Sequence, residues 1–170
     1  MNRATLLTLG VTMLAPLGSA YAADDVKVVE KPIRVLAGIF SAASGANKQR
    51  TAIGVGYDFM KTAATNPTVY GVFLDYNSKK VAGVTTSLTG VGISGRFYLE
   101  SANAAGKPYA TLGVGSYTLK AGTSQSKIGG KLGIGYELNN GWLGELSSTM
   151  IQKIGGKDPG GVTFGIGYRF

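Results

Sequence analysis

Six charged residues stand out because each falls on the polar side of an otherwise apolar, alternating segment: Arg34, Asp58, Arg96, Glu137, Glu145 and Arg169. Three acids and three arginines of this kind can neutralise one another in a closed interior, or line a constriction that passes small solutes. A second group is basic: Lys48, Arg50, Lys79, Lys80, Lys120, Lys127, Lys153 and Lys157, balanced locally only by Asp158. Its chemistry is anion binding, through charge-assisted hydrogen bonds to phosphate oxygens. Solvated lysines that keep turns soluble are the plainer reading of the same residues.

Other chemistries are excluded by residue type. The 170-residue chain contains no cysteine and no histidine. Disulfides, thiolate zinc sites, thiol nucleophiles and the commonest general base are therefore absent. Gly90 to Gly95 reads GVGISG and matches a dinucleotide-binding pattern, which needs a following helix to hold a pyrophosphate. Here Arg96-Phe97-Tyr98-Leu99 simply continues the alternation, so the glycines read as small residues facing an interior. No spacing points to a serine–lysine pair. No catalytic residue, cofactor or metal ligand is assigned, and the expectation is a protein that is not an enzyme.

The elements that must carry these groups follow from the pattern. Residues 1–22 read as a secretory signal peptide. Arg3 gives the positive start, Leu6 to Leu17 the apolar stretch, and Ala20-Tyr21-Ala22 the small-x-small cleavage pattern. Residues 23–31 (ADDVKVVEK) read as a flexible periplasmic tail ending at Pro32. From residue 32 to residue 170 the signal is period-two alternation, the mark of strands with unlike faces. In GVTFGIGYRF, Val162, Phe164, Ile166, Tyr168 and Phe170 share one face, with Thr163, Gly165, Gly167 and Arg169 on the other. Eight such segments, of which roughly Ile33–Phe40 and Tyr109–Leu119 alternate less cleanly, are separated by turn-rich stretches that include NSKKVAGVT, KAGTSQS and Asn140-Gly141, the last being the strongest tight-hairpin signal. Short connections between consecutive strands predict an all-β, eight-stranded, antiparallel up-and-down barrel, whose closure removes aggregation-prone edges.

The two faces decide what surrounds the barrel. One is Val, Ile, Leu, Phe, Tyr and Trp; the other is mostly Gly, Ser and Thr. Charged residues make up only 15% of the chain, against about 25% in an ordinary soluble domain. An eight-stranded interior admits only modest side chains, so the glycine-rich face belongs inside and the apolar face against lipid. A soluble barrel carrying an apolar ligand would need the reverse. Tyr57, Phe59, Tyr70, Phe97, Tyr136, Trp142, Tyr168 and Phe170 then gather at one rim, as an aromatic girdle does at the headgroup level. The six inward charges fall near that same rim.

The ending Val-x-Phe-x-Ile-x-Tyr-x-Phe, with Phe164, Ile166, Tyr168 and a terminal Phe170, resembles the C-terminal signature of bacterial outer-membrane barrels. With the size and strand count, the chain from residue 32 onward resembles the small OmpA/OmpX-type barrels. That resemblance implies outer-membrane localisation in a Gram-negative cell after export, and recognition of the C-terminal segment by the barrel-assembly machinery. Enzymes among such barrels generally use a histidine with serine or acidic partners, which this chain lacks. At the outer surface the nearest anion for the basic group is lipopolysaccharide phosphate; nucleic acid is not expected. The expected role is structural or membrane-stabilising, in a monomer with possible surface contact to lipopolysaccharide. The alternatives are a narrow, porin-like pore for small solutes and a soluble periplasmic ligand carrier.

Overall fold

β-Branched and aromatic residues alternating with glycine favour strands over helices, and strands are what the chain builds. The computed structural model describes residues 26–43, 49–62, 67–81, 83–101, 105–154 and 158–170. The predicted signal peptide lies outside the described residues. A two-residue strand, β1 (Val26–Lys27), precedes eight long ones: β2 (Ile33–Ala42), β3 (Gln49–Thr62), β4 (Thr68–Val81), β5 (Val84–Tyr98), β6 (Gly106–Ala121), β7 (Thr123–Leu138), β8 (Trp142–Ile151) and β9 (Gly161–Arg169). Each of β2 to β8 pairs antiparallel with the next, and β9 pairs with β2, so the sheet closes on itself. The chain is an eight-stranded antiparallel up-and-down barrel.

The pleat sorts side chains as the alternation requires. Ile53, Val55 and Tyr57 are exposed on the outer wall, whereas Ala52 and Asp58 are buried inside. On β9, Val162, Phe164, Ile166 and Phe170 are all exposed, while Arg169 is buried. Strand β6 is one of the two with the less regular pattern. There Tyr109 and Tyr117 point inward, each 1% exposed. Glycines beside them make the room: a Cβ at Gly129 would lie 2.9 Å from the Tyr117 ring, and one at Gly135 would overlap the Tyr109 ring. Glycine-rich and large residues therefore interdigitate in the lumen. Gly90 and Gly92 of GVGISG belong to this scheme, because Cβ atoms there would meet Tyr117 and Phe73, whereas Gly95 lies on the outer wall beside Phe97 and Tyr70.

The turns obey local chemistry. Gly141 has φ +96°, a conformation that β-carbon-bearing residues rarely adopt. It donates to the Leu138 carbonyl, and the Asn140 side chain accepts from Trp142 N.

Two expectations change. The described part of the tail is not free: Val26 and Lys27 pair with Thr62 and Lys61, and Val29 is buried at 6% exposure. The Lys31 carbonyl also accepts from Arg169 Nη1 at 3.4 Å. In addition, the stretches NSKKVAGVT and KAGTSQS, read as connections, are mostly strand. β4 and β5 stay paired up to Val81 and Val84, and β6 and β7 up to Ala121 and Thr123. Strand β8 stops at Ile151, opposite Gly129. The β4–β7 side therefore rises well beyond the rest of the barrel. These stretches read as loops because both of their faces are polar, which erases the alternation.

Candidate functional site: the lumen and the far rim

The start of β2 and the end of β9 lie together at one end of the barrel, called here the near end. The inward parity of β2, β3, β5, β7 and β9 brings Arg34, Asp58, Arg96, Glu137 and Arg169 together at that level. Asp58 is the hub: its Oδ2 lies 3.4 Å from Arg34 Nε and 3.3 Å from Arg169 Nη2, and it also binds Arg96 Nη2 directly. Glu137 takes Arg96 Nη1 at 3.3 Å and Arg169 Nε at 2.8 Å. Tyr98 completes the set. Its hydroxyl donates to Glu137 and accepts from Arg96 Nη1 at 3.1 Å and from Arg169 Nη2 at 2.9 Å. The Arg96 guanidinium also lies 5.7 Å from the Tyr98 ring centre and 5.5 Å from that of Tyr109.

The sixth predicted charge, Glu145, joins a different group. It pairs with Lys131 Nζ at 3.4 Å, and Lys131 reaches Asp75 Oδ2 at 3.1 Å. The Tyr109 hydroxyl donates to Glu145 Oε2 at 3.3 Å and links the two layers. Lys131, Asp75 and Tyr98 were missing from the sequence-based set, which took only charges close to the terminal rim. Parity alone would have found them: Lys131 shares its face with Glu137, and Asp75 shares its face with Gly71 and Phe73.

Around and above this second group the lumen turns apolar. Phe40, Phe73, Leu88, Tyr117 and Ile151 pack together there, with Leu119 against them. A cavity of about 40 Å³ lies beside Lys131, Glu145, Ser147 and Thr149, enough for a few waters. Four cations (Arg34, Arg96, Arg169, Lys131) thus face four carboxylates (Asp58, Asp75, Glu137, Glu145), and these lumen ion pairs sum to zero charge. Buried ions tolerate low dielectric only when paired and hydrogen-bonded in this way.

The predicted basic group divides at the far rim. Lys48 and Lys157 lie outside the described residues. Arg50 faces inward, bonding Asn77 Oδ1 at 3.3 Å and lying 5.8 Å over the Phe40 ring, so it is not a free surface cation. Lys79 and Lys127 share the inward parity of Asn77 and Lys131, whereas Lys80 and Lys120 lie on the outer wall. Lys153 is exposed after the end of β8. The assembly-signature residues Phe164, Ile166 and Tyr168 lie on the outer wall of β9, and Tyr168 is in register with Val35 of β2.

No protein-family model and no curated protein matches the chain. Solved structures do. The outer-membrane enzyme PagL aligns with a TM-score of 0.61 at 15% identity, covering 81% of this chain and 98% of that one. Neisserial surface protein A aligns at 0.55 with 14% identity, covering 81% and 96%. The N-terminal β-barrel domain of Pseudomonas aeruginosa OprF aligns at 0.51 with 13% identity, covering 82% and 98%. The first of these corrects the expectation that the chain is not an enzyme. An outer-membrane enzyme has this fold, so the fold does not decide against catalysis. Size, closure, outward apolar face and structural likeness agree: the chain has the fold of the small eight-stranded outer-membrane barrels, and fits the OmpA/OmpX type.

Proposed function

We propose that the chain is a structural barrel of the bacterial outer membrane, with its lumen sealed and its far rim facing lipopolysaccharide. In this reading an N-terminal signal peptide exports it, the barrel-assembly machinery recognises the Phe164–Phe170 ending, and it works as a monomer. The observation that carries the proposal is the layered lumen: a near-end ion network, a second ion group around Lys131, and an apolar plug around Phe40 and Tyr117. A pore needs a continuous wet path, and the apolar cluster around Phe40 and Tyr117 weighs against one. An apolar-ligand carrier needs an apolar interior, and this lumen holds paired ions. Outside the lumen the far rim carries Lys80, Lys120 and Lys153, whereas Arg50 faces inward.

The test is conductance in planar bilayers. The folded chain is expected to give no discrete channel at 1 M potassium chloride (roughly the high-salt limit where surface charge is screened). A stable unitary conductance would overturn the sealed reading in favour of the narrow pore.

A further inference from the structure

The outer wall of the protruding β4–β7 side carries a composition unlike the belt beneath it. Cross-strand register puts Ser78, Ser87, Lys120 and Ser124 in one row. The row below it runs through Thr89, Thr118 and Ser126, where the Thr118 and Ser126 hydroxyls are hydrogen-bonded at 2.8 Å. One row lower still the wall carries Leu74, Val91 and Ile128, all exposed, with Ser116 between the last two. Lys80 stands above the hydroxyl rows, opposite Thr85. Neither row contains a carboxylate. Lys80 and Lys120 are two strands apart and two residues out of step, which separates their Cα atoms by roughly 12 Å. Their side chains can therefore converge on a phosphate group between them. Hydroxyls on a flat sheet supply both donors and acceptors to sugars, and the lysines supply charge to phosphate.

We propose that this panel binds the phosphorylated sugar headgroup of lipopolysaccharide, with Lys80 and Lys120 on the phosphate and the serine and threonine rows on the saccharide. The assignment rests on the reading of the far rim as the cell-surface end, and sharpens it by separating the eight basic residues. Lys79 and Lys127 lie on the other face of the same sheet and cannot contact a lipid beside the wall. The headgroup would be held with its acyl chains against Leu74, Val91 and Ile128.

The experiment measures retention of the folded full chain, in neutral detergent, on immobilised rough lipopolysaccharide and on the same lipopolysaccharide stripped of phosphate. Gel mobility without heating checks that every variant is folded. The wild type is expected to bind the phosphorylated form at least tenfold more tightly. K80Q with K120Q should lose tenfold or more, and K79Q with K127Q less than twofold. Equal losses from the two pairs would overturn the panel while leaving lipopolysaccharide contact intact. Equally tight binding to phosphatidylglycerol vesicles would reduce it to general anionic attraction. A wild type that does not bind at all would overturn the far-rim reading itself.

Discussion

Asp58 on β3 and Arg96 on β5 are joined side chain to side chain, although the whole of β4 lies between their strands. The pair is almost fully buried, at 2% and 1% side-chain exposure. It therefore spans the floor of the lumen instead of following the wall, and Arg34 and Arg169 converge on the same carboxylate. Strands far apart in the sheet order are tied together by one oxygen atom.

Replacing Arg96 by alanine leaves Asp58 and Glu137 short of a shared cation in a dry space. Breaking a buried pair from one side costs about 3–5 kcal/mol. Urea unfolding of R96A in lipid vesicles should shift by that amount, without any channel appearing in bilayers. An unchanged midpoint would mean that the network contributes nothing to closure.

Lys131 holds Asp75 and Glu145 apart in charge. K131M should destabilise the barrel by a similar ~3–5 kcal/mol. Adding D75N and E145Q to it should recover most of that loss, because all three members are then neutral. Failure of the triple variant to recover would point to packing, not charge, as the role of Lys131.

The lumen glycines are predicted to tolerate no side chain. Gly90 lies under the Tyr117 ring, and overpacking a filled interior costs about 1–3 kcal/mol. Thermal unfolding should show G90V less stable than wild type, and the added substitution Tyr117→Ala should restore part of the difference. Outward-facing Gly144 has nothing within 4 Å of a built Cβ, so G144A should be close to neutral.

Trp142 is the chain's single tryptophan and is 51% exposed on the outer wall, edge-on to Tyr168 at 5.6 Å. Interfacial tryptophans sit at the headgroup boundary. On folding into vesicles its emission should move to the blue. Lipids brominated near the headgroup should quench it more strongly than lipids brominated near the chain ends. The opposite order would displace the girdle from the interface.

The barrel was legible because an apolar outer wall and a narrow lumen impose opposite demands on alternate residues, and β9 meets both in nine residues (Gly161–Arg169). The near-end ion network was legible for the same reason, since Arg34, Asp58, Arg96, Glu137 and Arg169 share the glycine face. What escaped was depth. Glu145 pairs with Lys131 because register places β7 and β8 so that Gly135 faces Glu145, and register across strands is not written in any single segment. The rise of β4 to β7 escaped as well, because Ser124-Gln125-Ser126-Lys127 is polar on both faces and loses the period-two signal.

The central claim, a barrel turned inside out for lipid, is tested most directly by refolding the urea-unfolded chain with and without phospholipid vesicles. Unheated and boiled samples are then compared on an SDS gel, with circular dichroism alongside. The account predicts a β-rich, SDS-resistant form of altered mobility that appears only with lipid or detergent and is lost on boiling. A chain that folds in buffer alone and runs identically heated or unheated would contradict it.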